Sequence, residues 1–77
     1  MKAMDVEALI RLHISGDVTV TTHDSVHFEA LIVSEAFLGV SRLKRQQMVY
    51  AALGPALTDG HIHAISIKTL TPVEANV

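Results

Sequence analysis

The sequence predicts an α+β fold of order α-β-β-α-β, a two-layer sandwich of helices on a three-stranded mixed sheet. Three observations carry this expectation. Residues 5–13 place apolar side chains at helical spacing. Residues 18–33 hold two period-two runs rich in β-branched side chains, parted by a three-residue turn. A long helical segment then separates the second run from a third, His61 to Thr69.

The first helix is read over Asp5–His13, with Val6, Leu9, Ile10 and His13 at i, i+3, i+4 and i+7 on one stripe. On this reading His13 is packed. Ser15-Gly16-Asp17 stops the helix. Val18-Thr-Val-Thr-Thr22 alternates and is β-branched throughout, as a strand requires. His23-Asp24-Ser25 forms the turn, and Val26–Val33 the second strand. Val26, Phe28, Ala30 and Ile32 share one face of that strand. Leu31 and Val33 continue the other, so its later half is expected to be buried on both sides. A connection this short makes the two strands a hairpin.

Ser34–Gly39 is read as a single turn in which Phe37 and Leu38 plug the core. Ser41 is the expected N-cap of the second helix. That helix carries Leu43, Tyr50, Leu53 and Leu57 on roughly one face, with Val49 beside them. Gly54-Pro55 is expected to kink or break it, because proline removes a backbone donor. Thr58-Asp59-Gly60 ends it. In the third strand His61 and His63 point to one face, which Ile65 and Ile67 continue as the core side. Thr71-Pro72-Val73-Glu74 reads as N-cap, proline at N1 and glutamate at N3, a capping box. Only Ala75-Asn76-Val77 follow. The crossover from strand two to strand three lays its helix across one face of the sheet, and the first helix covers the same face.

The 77 residues make one domain, 1–77, with 49% hydrophobic and 18% charged residues, an ordinary globular balance. No apolar run is long enough to span a membrane, and no secretory pattern opens the chain, so a cytoplasmic location is expected. The chain has no cysteine, which excludes disulfides, thiolate metal sites and a thiol nucleophile. A net charge of −2 argues against broad electrostatic binding of nucleic acid. No catalytic arrangement is present: there is no HExxH, no glycine-rich phosphate loop and no spaced Ser-His-Asp set. The chain is therefore read as non-enzymatic. Five histidines in so short a chain are its only metal-competent nitrogens.

Four segments resemble the BolA-like family, in its short bacterial subgroup of the IbaG/YrbA type. Ser25-Val-His-Phe28 is similar to the family's Ser-His-Phe. Val33-Ser-Glu-Ala-Phe-Leu-Gly39 matches its Val-Ser-x-x-Phe-x-Gly. Ser41-Arg-Leu-Lys-Arg-Gln-Gln-Met-Val-Tyr50 matches the long-helix motif, and Ile62-His-Ala-Ile-Ser-Ile-Lys68 with Thr71–Glu74 the C-terminal signature. Together they span residues 25–74. Two departures stand out. Arg45-Gln46-Gln47 replaces the Arg-His-Arg of many relatives, and no Trp-led C-terminal helix follows Glu74.

The resemblance implies a fold similar to a class II KH domain, without the Gly-x-x-Gly clamp that grips a nucleotide backbone. It implies partnership with a monothiol glutaredoxin in iron–sulfur trafficking and iron or stress regulation. A 2Fe–2S cluster is then shared between the glutaredoxin, glutathione and two ligands of this chain, which holds none when alone. His63 is the first ligand implied. The second is His23, in the hairpin turn, or His27, which matches the family's Ser-His-Phe. His61 is an auxiliary ligand or, more simply, a solvated strand end.

The alternative function is a transcriptional regulator that binds DNA through the KH-like fold. Arg42, Lys44 and Arg45 would form its phosphate-contacting patch near a helix start. No aromatic residue interleaves with these cations, so base stacking has no support. Alone, the chain is expected to be a monomer or weak homodimer, with no membrane association.

Overall fold

A computed structural model describes residues 1–76 of the chain; Val77 lies outside them. The first helix, α1 (Ala3–His13), begins two residues before the expected start. Asp5 is the reason: its Oδ2 accepts the Lys2 backbone N–H at 2.8 Å, so it sits inside the first turn as its anion rather than before it. Val6, Ile10 and Ile14 are buried at a spacing of four, and Leu9 is half-buried. His13 is exposed, contrary to expectation. The helix ends there and Ile14, just past it, takes the buried position.

Strands β1 (Asp17–Thr22) and β2 (His27–Val33) pair antiparallel, from Asp17 opposite Val33 to Thr22 opposite Phe28. Val18, Val20, Phe28, Ala30 and Ile32 point inward and are buried. Leu31 is 38% exposed, so the later half of β2 is covered on one side only. Both long helices lie against the other face, and among the described residues nothing covers the outer one. Gly16, just before β1, has φ +120°, and a Cβ there would stand 2.2 Å from the Val33 carbonyl oxygen. That approach requires glycine.

A 3-10 turn, Glu35–Phe37, follows β2, with Ser34 Oγ accepting from Ala36 N–H at 3.1 Å. Phe37 is fully buried as expected, whereas Leu38 faces solvent. Helix α2 (Arg42–Thr58) is capped by Ser41, whose Oγ accepts from Lys44 N–H at 3.2 Å. Its buried stripe is Arg45, Val49, Ala52, Leu53 and Ala56. Leu43 and Tyr50 lie outside it, 69% and 43% exposed, so the buried face is rotated from the one the large apolar residues suggested. Helix α2 packs against both α1 and β3, with Ala52 and Ala56 among its buried residues.

The helix also runs unbroken through Gly54-Pro55. Pro55 is exposed while its neighbours Leu53 and Ala56 are buried, so packing on both sides holds the segment helical despite the lost donor. Thr58 Oγ1 donates back to the Pro55 carbonyl at 3.1 Å near the helix end.

Strand β3 is Ala64–Leu70 and pairs in parallel with β2, from His27 beside Ala64 to Val33 beside Leu70. The sheet order is β1-β2-β3. His61 and His63 therefore precede the strand instead of lying in it. The N–H groups of His61 and Ile62 both donate to the Ala56 carbonyl, at 3.0 and 3.2 Å, folding this segment onto the end of α2. Ile62 is buried by that fold and the flanking histidines point outward, so they do not share the core face of Ile65 and Ile67.

Thr71 caps a last short helix, α3 (Pro72–Ala75), through the expected capping box. Glu74 closes that box by accepting Thr71 N–H at 2.9 Å, and it also receives Arg45 Nη1 at 2.7 Å and Nη2 at 3.3 Å. A single apolar cluster joins both helices to the inner sheet face. Each sheet edge has a carbonyl taken up by a helix side chain. Arg11 Nη2 donates to Val18 O at 3.0 Å, and Gln46 Nε2 to Ile67 O at 2.9 Å. Edge carbonyls so occupied are poor templates for a further strand.

Candidate metal centre

The parallel register is what assembles the site. Because His27 lies beside Ala64, the first residues of β2 and β3 meet at one end of the sheet. The β1–β2 loop, carrying His23, and His63, one residue before β3, belong to that same end. His23, His27 and His63 are all exposed. His23 and His27 line a shallow depression together with Thr22, Phe28, Ala64 and Ile65.

The loop is held by its own polar groups. Asp24 Oδ1 accepts the N–H groups of Val26 and His27 at 2.9 and 2.8 Å, an Asx turn. Thr22 Oγ1 accepts from Ser25 N–H at 3.0 Å and donates to His27 O at 2.7 Å. Ser25 takes φ +61° between these anchors. Asp24 Oδ2 lies 2.7 Å from His27 Nδ1. The His27 backbone N–H, then its ring, then the Val26 N–H hold the Asp24 carboxyl well below the usual carboxylate range. The loop backbone is thus fixed, and of its two histidines only His27 has a tethered ring. No hydrogen bond ties the His23 or His63 side chain among the described residues.

The chemistry of this donor set is limited. Imidazole nitrogens can replace two cysteines on one iron of a 2Fe–2S cluster. With no cysteine in the chain, the remaining ligands must come from elsewhere. Among the described residues no group of three or more histidine and carboxylate side chains is gathered to hold a metal ion. The three exposed histidines at this sheet end, with no thiolate beside them, fit a cluster that takes its other ligands from a partner. His61 is exposed outside β3, its backbone tied to α2.

The basic patch expected at residues 42–45 loses a member. Arg45 is buried: its Nε donates to Val40 O at 2.8 Å, its guanidinium is paired with Glu74, and it lies 5.8 Å from the Phe37 ring. Arg42 and Lys44 alone stay exposed. Arg45, and after it the Thr71 N–H, lower the Glu74 pKa from 4.5 to about 2. Sequence reasoning missed both pairings. The Asp24–His27 pair had a local signal, since the residues are three apart at a turn; the Arg45–Glu74 pair spans 29 residues and had none.

The model of the BolA-like protein family matches residues 4–74. The chain belongs to the BolA-like family. It is 42% identical over 71 residues to the acid stress protein IbaG of Escherichia coli K12, covering 92% of this chain and 76% of that relative. A solved Bol-like protein from Babesia bovis superposes with a TM-score of 0.86 at 32% identity, over 99% of this chain and 91% of that one. The BolA domain of SufE1 from Arabidopsis thaliana superposes with a TM-score of 0.80, also at 32% identity, over 94% and 93%. The three-stranded mixed sheet with its helices on one face is thus a BolA fold.

Proposed function

We propose that this BolA-like protein is a non-catalytic partner of a monothiol glutaredoxin. In that complex it supplies His63 and one loop histidine to a shared 2Fe–2S cluster. One observation carries the reading: the register that sets His27 beside Ala64 puts His27, the His23 loop and His63 at one exposed end of the sheet. The missing cysteines support sharing, because the thiolates must then belong to glutaredoxin and glutathione. A neighbour that is one domain of SufE1 fits a fold that works beside a partner. Likeness to an acid stress protein is consistent with a regulatory setting. The DNA-binding reading keeps only Arg42 and Lys44 of its three-cation patch, on a chain of net charge −2.

The test is to mix the full chain with a monothiol glutaredoxin, glutathione, iron and sulfide under reducing conditions. The expected result is a 2Fe–2S absorption and circular dichroism spectrum that differs from glutaredoxin alone and is lost with His63→Ala. A spectrum that His63→Ala leaves unchanged overturns the assignment.

A further inference from the structure

We propose that Asp24 is a positioning residue that makes His27, and not His23, the loop ligand of the site; this rests on the shared-cluster reading. The argument starts from the hydrogen-bond inventory of the pair. An ionised carboxylate can only accept, so the 2.7 Å contact from Asp24 Oδ2 requires a proton on His27 Nδ1. A neutral imidazole with Nδ1–H has its lone pair on Nε2. The ring is 68% exposed, so that atom is open to solvent. Metal-ligating histidines characteristically give their other N–H to a carboxylate, which fixes tautomer and orientation and makes the ligand more basic.

The rest of the loop makes the carboxylate itself immobile. Its second oxygen is held by the N–H groups of Val26 and His27, and Thr22 fixes the His27 carbonyl. His27 also opens β2 beside Ala64, so its backbone is part of the sheet and one residue's register from His63. His23 has none of these supports. A ring with no partner must be ordered at the moment of binding, which costs entropy that His27 has already given up.

One substitution separates tautomer from loop structure. In Asp24→Asn, Oδ1 can still accept from Val26 and His27, so the turn survives. The amide group now faces Nδ1 and donates to it. The proton moves to Nε2, and the outward donor is blocked. Long-range 1H–15N correlation spectra of the full chain, without iron or partner, read this directly at a pH where the rings are neutral. The expected result is Nδ1–H for His27 in the parent and Nε2–H in Asp24→Asn, with core amide shifts unchanged. A parent His27 in the Nε2–H form overturns the proposal.

The second measurement uses the cluster complex with glutaredoxin, glutathione, iron and sulfide. Cluster retention should fall about tenfold or more with Asp24→Asn and His27→Ala, while His23→Ala leaves it unchanged. Dependence on His63 and His23, without dependence on His27 or Asp24, overturns this inference alone. A cluster indifferent to His63 overturns the glutaredoxin reading instead.

Discussion

At the end of the sheet where β2 and β3 finish, Ser34 N–H donates to Leu70 O at 3.0 Å, and Gly16 lies under Val33. Arg45, itself buried, there joins Val40, Phe37 and the half-buried Glu74 into one cluster. At the end where the same strands begin, the side chains are exposed imidazoles and a loop that satisfies itself. One end binds the layers together and the other leaves its imidazoles exposed. The difference teaches where this small fold can carry function. A 77-residue chain has little stability to spare, so groups that must stay available are placed where removing them costs the core nothing.

The hardest test of the closed end is Gly16→Ala. The added Cβ would meet the Val33 carbonyl and keep a left-handed φ, so the segment leading into β1 and the end of β2 must shift apart. A loss of about 3 kcal/mol is expected, measured by urea denaturation. A loss below about 1 kcal/mol would mean that the close approach is not a fixed feature of the fold.

Next is Arg45→Ala, which strips a buried side chain of its hydrogen bonds to Val40 and Glu74 and its packing on Phe37. A loss of about 2 kcal/mol is expected. Glu74→Gln should cost less at neutral pH but change the pH profile. The Glu74 carboxyl is lowered from 4.5 to about 2, so its contribution is complete above 4.5 and disappears as pH falls toward 2. The parent should lose stability through that window, and Glu74→Gln should lose less. Parallel acid profiles would show that the carboxylate does not fasten α3 to α2.

The order of elements was legible because periodicity is local: β-branched alternation in β1, the hairpin turn and the Ser41 and Thr71 caps all sit within a few residues. What was not legible depends on contacts across the chain. His61 and His63 looked like strand residues until the Ala56 carbonyl drew that segment onto α2. Arg45 looked like a cation open to a phosphate because its partner lies in α3. Leu31 looked buried because a strand's own sequence does not say which sheet face is left uncovered. At the site, histidine was legible as a residue type, and the family likeness singled out His63. The support of His27 by Asp24 required the folded loop.

The smallest expected effect sharpens the contrast most. His23→Ala and His63→Ala each remove an exposed side chain that no hydrogen bond holds among the described residues. Each should therefore change stability by no more than about 0.5 kcal/mol. Combined, their effects should add, since neither ring shares a partner with the other. Thermal and urea unfolding of the two single variants and the double variant would measure this. A loss well beyond that range would mean that the histidine end is built into the fold after all. If the losses stay small while the cluster spectrum disappears with His63→Ala, the imidazole at the start of β3 is kept for what it binds, and the packing that supports it resides at the other end of the sheet.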